Sequence, residues 1–268
     1  MAISYQNCPV TINGVNLFAT NVSWNQSQSL QGLRVLGGAV TSAVTQAPEG
    51  EFTADFYIGS TGIAVKFGSA LAKTGSEFFD CTIGDLTFSK CLLNSFNISA
   101  QTNALINGSL GVGCYGNIVG NISGTKATGK ITGAHAAQSV LQAQATEEGI
   151  GIGFSSNPYS FTYDLSKEYS INRVVGTGDL AQGNVKFVSA TERATLEGDR
   201  LPSGIAKDPA GSSAFACLTG YEVALELKSS CGASFGSVGL SKGNAVSRNL
   251  QVANNDTVRG SVTIERNY

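Results

Sequence analysis

Charge is scarce in this chain: 13% of its 268 residues are Asp, Glu, Lys or Arg, with Lys+Arg 17 against Asp+Glu 19 and a net charge of −2. A surface without a basic field has little with which to condense a phosphate backbone, which argues against nucleic-acid recognition. Histidine is nearly absent. The single one, His135, would need carboxylates or scattered thiolates to complete a metal site, so neither metal nor cofactor is expected. Six cysteines (Cys8, Cys81, Cys91, Cys114, Cys217, Cys231) include no pair at zinc-knuckle or redox-motif spacing. They are too few for a disulfide scaffold and read as buried thiols. No apolar run approaches the ~18–20 residues of a bilayer span. Residues 1–10 lack the basic start and apolar centre of a secretory leader, so the chain is expected to be made inside the cell and left unprocessed.

What is abundant is glycine, 33 residues, alongside 42% hydrophobic residues and much Ser, Thr and Asn. That mixture favours turns and short strands over helix, and the expected fold class is all-β, a sandwich or open barrel with one or two short flanking helices. Period-two alternation marks half-buried strands at Val22/Trp24, Phe161/Tyr163/Leu165 and Tyr221/Val223/Leu225/Leu227. Further strands are expected over Glu51–Ile58, Asp85–Cys91, Asn94–Ala100, Gly183–Ala190 and Arg259–Arg266. The turn signals are Asn13-Gly14, Asn107-Gly108 and Gly183-Asn184. Helix is expected over Ala134–Glu148, which has neither Gly nor Pro, and over Ile63–Lys73.

The chain matches itself in two places. Residues 22–37 over 161–176, an offset of 139, align Ser27 with Ser166, Arg34 with Arg173 and Gly37 with Gly176. Residues 95–109 over 247–261, an offset of 152, align Asn97 with Asn249, Asn103 with Asn255, Gly108 with Gly260 and Ser109 with Ser261. These shared positions predict a tandem duplication: a first β domain over 1–133, a helical, Gly-rich connector over 134–155 and a second β domain over 156–268. The thirteen residues separating the offsets are assigned to a loop insertion at Gly198–Gly211.

Several catalytic motifs are spelled without their context. Gly111-Val-Gly113-Cys-Tyr-Gly116 has dinucleotide-fingerprint spacing but precedes Gly-rich sequence rather than a helix. Gly124–Lys130 approximates a phosphate loop, yet Ile131 stands where a Ser or Thr should meet magnesium. Gly232-Ala-Ser234-Phe-Gly236 spells a nucleophile elbow with no later histidine to serve as base. A chymotrypsin-like order of His135, then Asp164 or Asp179, then Ser234 is the strongest enzyme alternative. It is disfavoured by the missing Gly-Asp-Ser-Gly arrangement and by the helical character of the segment around His135. Arg34 and Arg173 read as structural partners of carboxylates or carbonyls. The chain is expected not to be an enzyme.

The strand leading through Leu33-Arg34-Val35-Leu36-Gly37 to Pro48-Glu49-Gly50-Glu51, and the later run Asp85–Gly116, resemble the tail tube (major tail) proteins of tailed bacteriophages. That resemblance, of pattern rather than signature and extended over most of the chain by the duplication, implies rings stacked around a lumen. With six domain copies per ring, a duplicated chain would supply them as three subunits, a pseudo-hexameric trimer. It further implies a virion location in the tail after assembly in the host cytoplasm, tape-measure and tail-end proteins as partners, and DNA passing through without specific contacts. No membrane partner is expected. A lumen of low charge with a slight acid excess would not hold phosphate. A capsid decoration protein is the other structural alternative, sharing the composition without needing duplication or ring closure.

Overall fold

Asn13 and Gly14 adopt φ of 51° and 75°, the paired left-handed geometry of a two-residue hairpin turn, and join β1 (Val10–Ile12) to β2 (Val15–Ser27). The computed structural model describes residues 9–27, 30–34, 38, 40–44, 49–59, 62–68, 73–101, 104–120, 144–147, 150–153, 158–172, 180, 182–199, 219–228, 234–251 and 259–268. The protein is nearly all β. After the β3–β4 hairpin (Leu30–Arg34, Val40–Val44) come β5 (Glu49–Tyr57), β6 (Phe79–Ile83), β7 (Leu86–Gln101), β8 (Asn107–Cys114) and β9 (Ile118–Val119). The later strands are β10 (Gln144–Glu147), β11 (Ile150–Gly153), β12 (Pro158–Ile171), β13 (Val185–Asp199), β14 (Thr219–Lys228), β15 (Ser234–Gln251) and β16 (Arg259–Asn267). Among the described residues α-helix is confined to α1, Ile63–Gly68, whose inward residues Ile63, Ala64 and Phe67 are buried against the core, and to Lys73 and Thr74.

Strands β7-β6-β1-β2-β5-β8 close on themselves through β7–β8 pairing, giving a six-stranded antiparallel barrel. Closure pairs β2 with β1 only near its start, over Val15–Leu17, and beyond Asn21 the strand pairs with β5 alone among the described residues. The second half continues from the barrel: β12 pairs with β7, and the order runs on through β13, β16, β15, β14, β10 and β11. One apolar core spans both halves, filled by Phe52, Phe56, Phe88 and Phe96 from the first and Phe161, Tyr163, Leu165 and Ile264 from the second. Its rings pack by offset and edge contacts, with Phe52–Phe88 at 5.7 Å and Phe96–Tyr163 at 6.4 Å between centroids.

Two expectations are corrected. Asn107-Gly108 is not a turn but lies inside β8, where Gly108 pairs with both Ile98 and Phe56. A Cβ there would sit 2.9 Å from the Asn97 carbonyl oxygen and from the Phe56 ring, which is why glycine occupies a strand interior. The end of the expected Ala134–Glu148 helix is strand: Gln144–Glu147 is β10, paired with β11 and, at Thr146, with Glu222 of β14. Cross-strand pairing outweighs local helix propensity at these residues. The rest of that stretch, with His135, lies outside the described residues.

The pairing registers of the two halves repeat. On β7–β8, Ser95, Asn97 and Ser99 face Gly111, Ser109 and Asn107; on β15–β16, Ser247, Asn249 and Gln251 face Thr263, Ser261 and Arg259, each position displaced by 152. The ladder irregularity between Leu93 and Ser95 recurs between Ala245 and Ser247. Trp24 faces Phe52 and Tyr163 faces Ala194, so β2 maps to β12 at 139 and β5 to β13 at 142 (194 minus 52). Here too the irregularity recurs, between Ala19 and Asn21 and between Pro158 and Ser160. Phe79–Cys91 corresponds to Tyr221–Gly243, again 142 and 152. The thirteen-residue gain therefore does not fall at Gly198–Gly211. Three residues enter between β12 and β13, and ten enter the β14–β15 hairpin, between Leu225 and Val238, the counterparts of Ile83 and Leu86.

Candidate functional site

Strict alternation gives the joined sheet two unlike faces. Along β2, β5, β8, β7, β12, β13 and β16 the inward residues are mostly apolar, Lys167 and Glu192 being exceptions, whereas the outward ones form rows of mainly short polar side chains. Neighbouring rows are tied across the strands: Ser23 with Thr53 at 2.7 Å, Thr195 with Thr263 at 3.0 Å, Ser160 donating to Glu197 at 2.9 Å and Thr191 donating to Asn267 at 2.8 Å. Asn97 donates to Asp164 across the β7–β12 junction. The acidic groups in these rows are Glu49, Glu51, Asp55, Asp164, Glu168, Glu197 and Glu265, and the basic ones are Lys186, Arg193 and Arg259, among the described side chains. Arg193 is engaged by Glu265 at 2.7 Å.

Two shallow depressions on this face are repeat counterparts. One is lined by Thr20, Asp55, Asn97, Asn107, Gly108 and Ser109; the other by Tyr159, Glu197, Asn249, Arg259, Gly260 and Ser261. Each sets a carboxylate beside an amide, a glycine and a serine. Gly108 and Gly260 thus mark the same place in each half, flanked by Phe56 and Ile98 in one and by Gly198 and Leu250 in the other. Of the other repeat positions, Arg34 closes the β3–β4 hairpin opposite Val40. Gly37, Asn103, Arg173, Gly176 and Asn255 lie outside the described residues.

On the inward side of the junction lies a buried polar cluster that the sequence reading missed. Glu192 on β13 is fully buried and accepts hydrogen bonds from the hydroxyls of Tyr163, at 2.6 Å, and Tyr268. It also forms an ion pair with Lys73, whose Nζ donates in addition to the Gly239 carbonyl at 3.1 Å. Burial, and then the Glu192 charge, pushes the Tyr163 hydroxyl far above its ordinary range. Lys167 donates to the Gly75 carbonyl at 2.6 Å beneath the Tyr169 and Phe187 rings, and desolvation lowers its pKa to about 8. Gln182 accepts from the Phe78 amide at 2.9 Å and donates to the Ser76 carbonyl. Segment 73–78 of the first half is thereby strapped to the second at three places. A carboxylate in the inward phase of Ala190–Leu196 was the signal available in the sequence.

The described residues assemble no catalytic constellation. Asp164 is an exposed strand residue bonded to Asn97, and Ser234 opens β15 opposite Lys228. His135, Asp179 and Gly124–Lys130 lie outside the described residues. Gly111 and Gly113 are in β8, and Gly116 is followed by β9, so no helix follows the GxGxxG spacing. Cys81, Cys91 and Cys114 are buried free thiols, with the Cys91 and Cys114 sulfurs 3.2 Å apart. Their mutual hydrogen bond and burial push the Cys114 thiol far up. Among the described residues no group of His, Cys, Asp and Glu could hold a metal, and no helix is long and apolar enough to cross a membrane. The chain matches no protein-family model and no curated protein sequence.

Proposed function

We propose that the chain is a structural subunit of a phage tail tube, two fused copies of one β domain, three chains of which close a ring that stacks into a tube. The observation that carries this reading is the recurrence of strand order, register and ladder irregularities in both halves, with the halves already joined edge to edge into one sheet. A chain built from two equivalent units that pair side by side is half-way to a cyclic assembly of such units. The polar face of the joined sheet lines the lumen. Its side chains are short and largely bonded to one another, its acids outnumber its bases, and Arg193 is held by Glu265, so it offers a passing phosphate backbone little to grip.

Electron microscopy of the purified chain at rising concentration tests the reading. Hollow rings and stacks of rings are expected. Solid particles that never enclose a lumen at any concentration would overturn it in favour of a decoration protein.

A further inference from the structure

The two halves of the chain meet at a junction of defined register. At this internal junction, β12 lies between β13 on one edge and β7 on the other, in the register Thr162–Ser99, Tyr163–Ile98, Asp164–Asn97, Leu165–Phe96 and Ser166–Ser95. The counterpart of β12 is β2, and that of β7 is β15. Over Asn21–Ser27, β2 is paired on its β5 edge alone, and over Ser247–Gln251, β15 is paired on its β16 edge alone, among the described residues. The chain therefore carries one unpaired copy of each half of its own junction.

From this geometry we infer that β15 of one copy pairs antiparallel with β2 of the next, in the internal register carried over by the two offsets. Ser23 then faces Gln251 of the next copy, Trp24 faces Leu250, Asn25 faces Asn249, Gln26 faces Arg248 and Ser27 faces Ser247. This rests on the ring reading and supplies its contact. Exposure at equivalent positions points to the same partner. Tyr163, covered at the internal junction, is 0% exposed, whereas its counterpart Trp24 is 38% exposed. A large aromatic left open at a sheet edge marks a surface awaiting a partner. The transferred pairs are compatible: Trp24 meets Leu250 where Tyr163 meets Ile98, and Asn25 meets Asn249, an amide pair able to replace the Asp164–Asn97 hydrogen bond. The interface is head-to-tail, so it closes only as a ring or runs on as a filament.

The test is disulfide trapping in the full chain carrying Asn25→Cys and Asn249→Cys, judged against the unsubstituted chain and against a Ser23→Cys/Asn249→Cys control displaced along the strand. Opposed residues in antiparallel strands lie about 4.5–5.5 Å apart at Cα, within disulfide reach, and the displaced pair does not. Covalent trimers as the largest product are expected, with at least ~10-fold more cross-linking than the control, and mixing the two single variants should give dimers alone. Trp24 is the only tryptophan, so its emission should shift to the blue on assembly. Rings visible by microscopy without cross-linking above the control would overturn this interface while leaving the ring reading intact. Absence of any ring at any concentration would overturn both.

Discussion

A fully buried carboxylate is tolerated here because three donors converge on it. Removing one leaves charge unpaired, so Lys73→Met should lower unfolding free energy by about 3–5 kcal/mol, with part of the loss recovered in Lys73→Met/Glu192→Gln. Urea denaturation of the three chains checks this, and an unchanged single variant would show that Glu192 needs no cation. Lys167 makes a pH-dependent statement. Desolvation lowers its folded pKa from 10.5 to about 8, so between those values the unfolded chain binds the extra proton and stability rises with pH. The cost of burying the ammonium is present in full below about pH 8. Relative to Lys167→Met, the natural chain should gain at most about 1.4 kcal/mol per pH unit from pH 8 to 10.5, and parallel curves would contradict the assignment. Both chains should weaken above about pH 9. There the buried Cys91 and Cys114 thiols, and then the Tyr163, Tyr169 and Tyr268 hydroxyls, keep protons that the unfolded chain releases. Neither Glu192 nor Lys167 was singled out in the sequence, because what makes them notable is the segment 73–78 packing over them from the other half.

Elements were legible where they bury one face. Phe161, Tyr163 and Leu165 alternate with polar residues and lie fully inside, and Asn13-Gly14 makes its hairpin, because period and turn chemistry are local properties. Elements decided by distant neighbours were not legible. Asn107-Gly108 reads as a turn until the Asn97 carbonyl and the Phe56 ring are seen to fill the space beside Gly108. Gln144–Glu147 reads as helix until β11 and β14 pair with it. Gly108→Ala tests the first case: forcing a methyl group into a 2.9 Å gap beside backbone should cost about 1–3 kcal/mol, read as a lower urea midpoint. A neutral result would mean that β7 and β8 can separate at no cost. The polar face was anticipated only as low charge, since which strands adjoin across the β7–β12 junction is not a local property.

For the whole molecule, repetition is the organising fact. Offsets of 139 and 152 were visible in the sequence from a handful of shared residues, and the strand registers follow the same numbers down to their irregularities. The intermediate offset of 142 was not visible, because β5 and β13 share their pairing but only one residue, Thr53 with Thr195: Phe52 stands where Ala194 does, and Gly50 where Glu192 does. First and second halves therefore have equivalent backbones with different interiors. Among the described residues, closure of the first half into a barrel leaves β2 with an open edge, and the second half leaves one on β15. Two open edges that match each other across copies, and an internal junction already showing the match, are the basis of the proposed cyclic assembly, in which every domain would meet its neighbour in the same way. The most direct measurement of that claim is the number of chains per ring, by native mass spectrometry of rings isolated at the lowest concentration that forms them. Three chains, with no stable ring of any other number, is the predicted result; rings of six chains, or a chain that remains a monomer throughout, would contradict it.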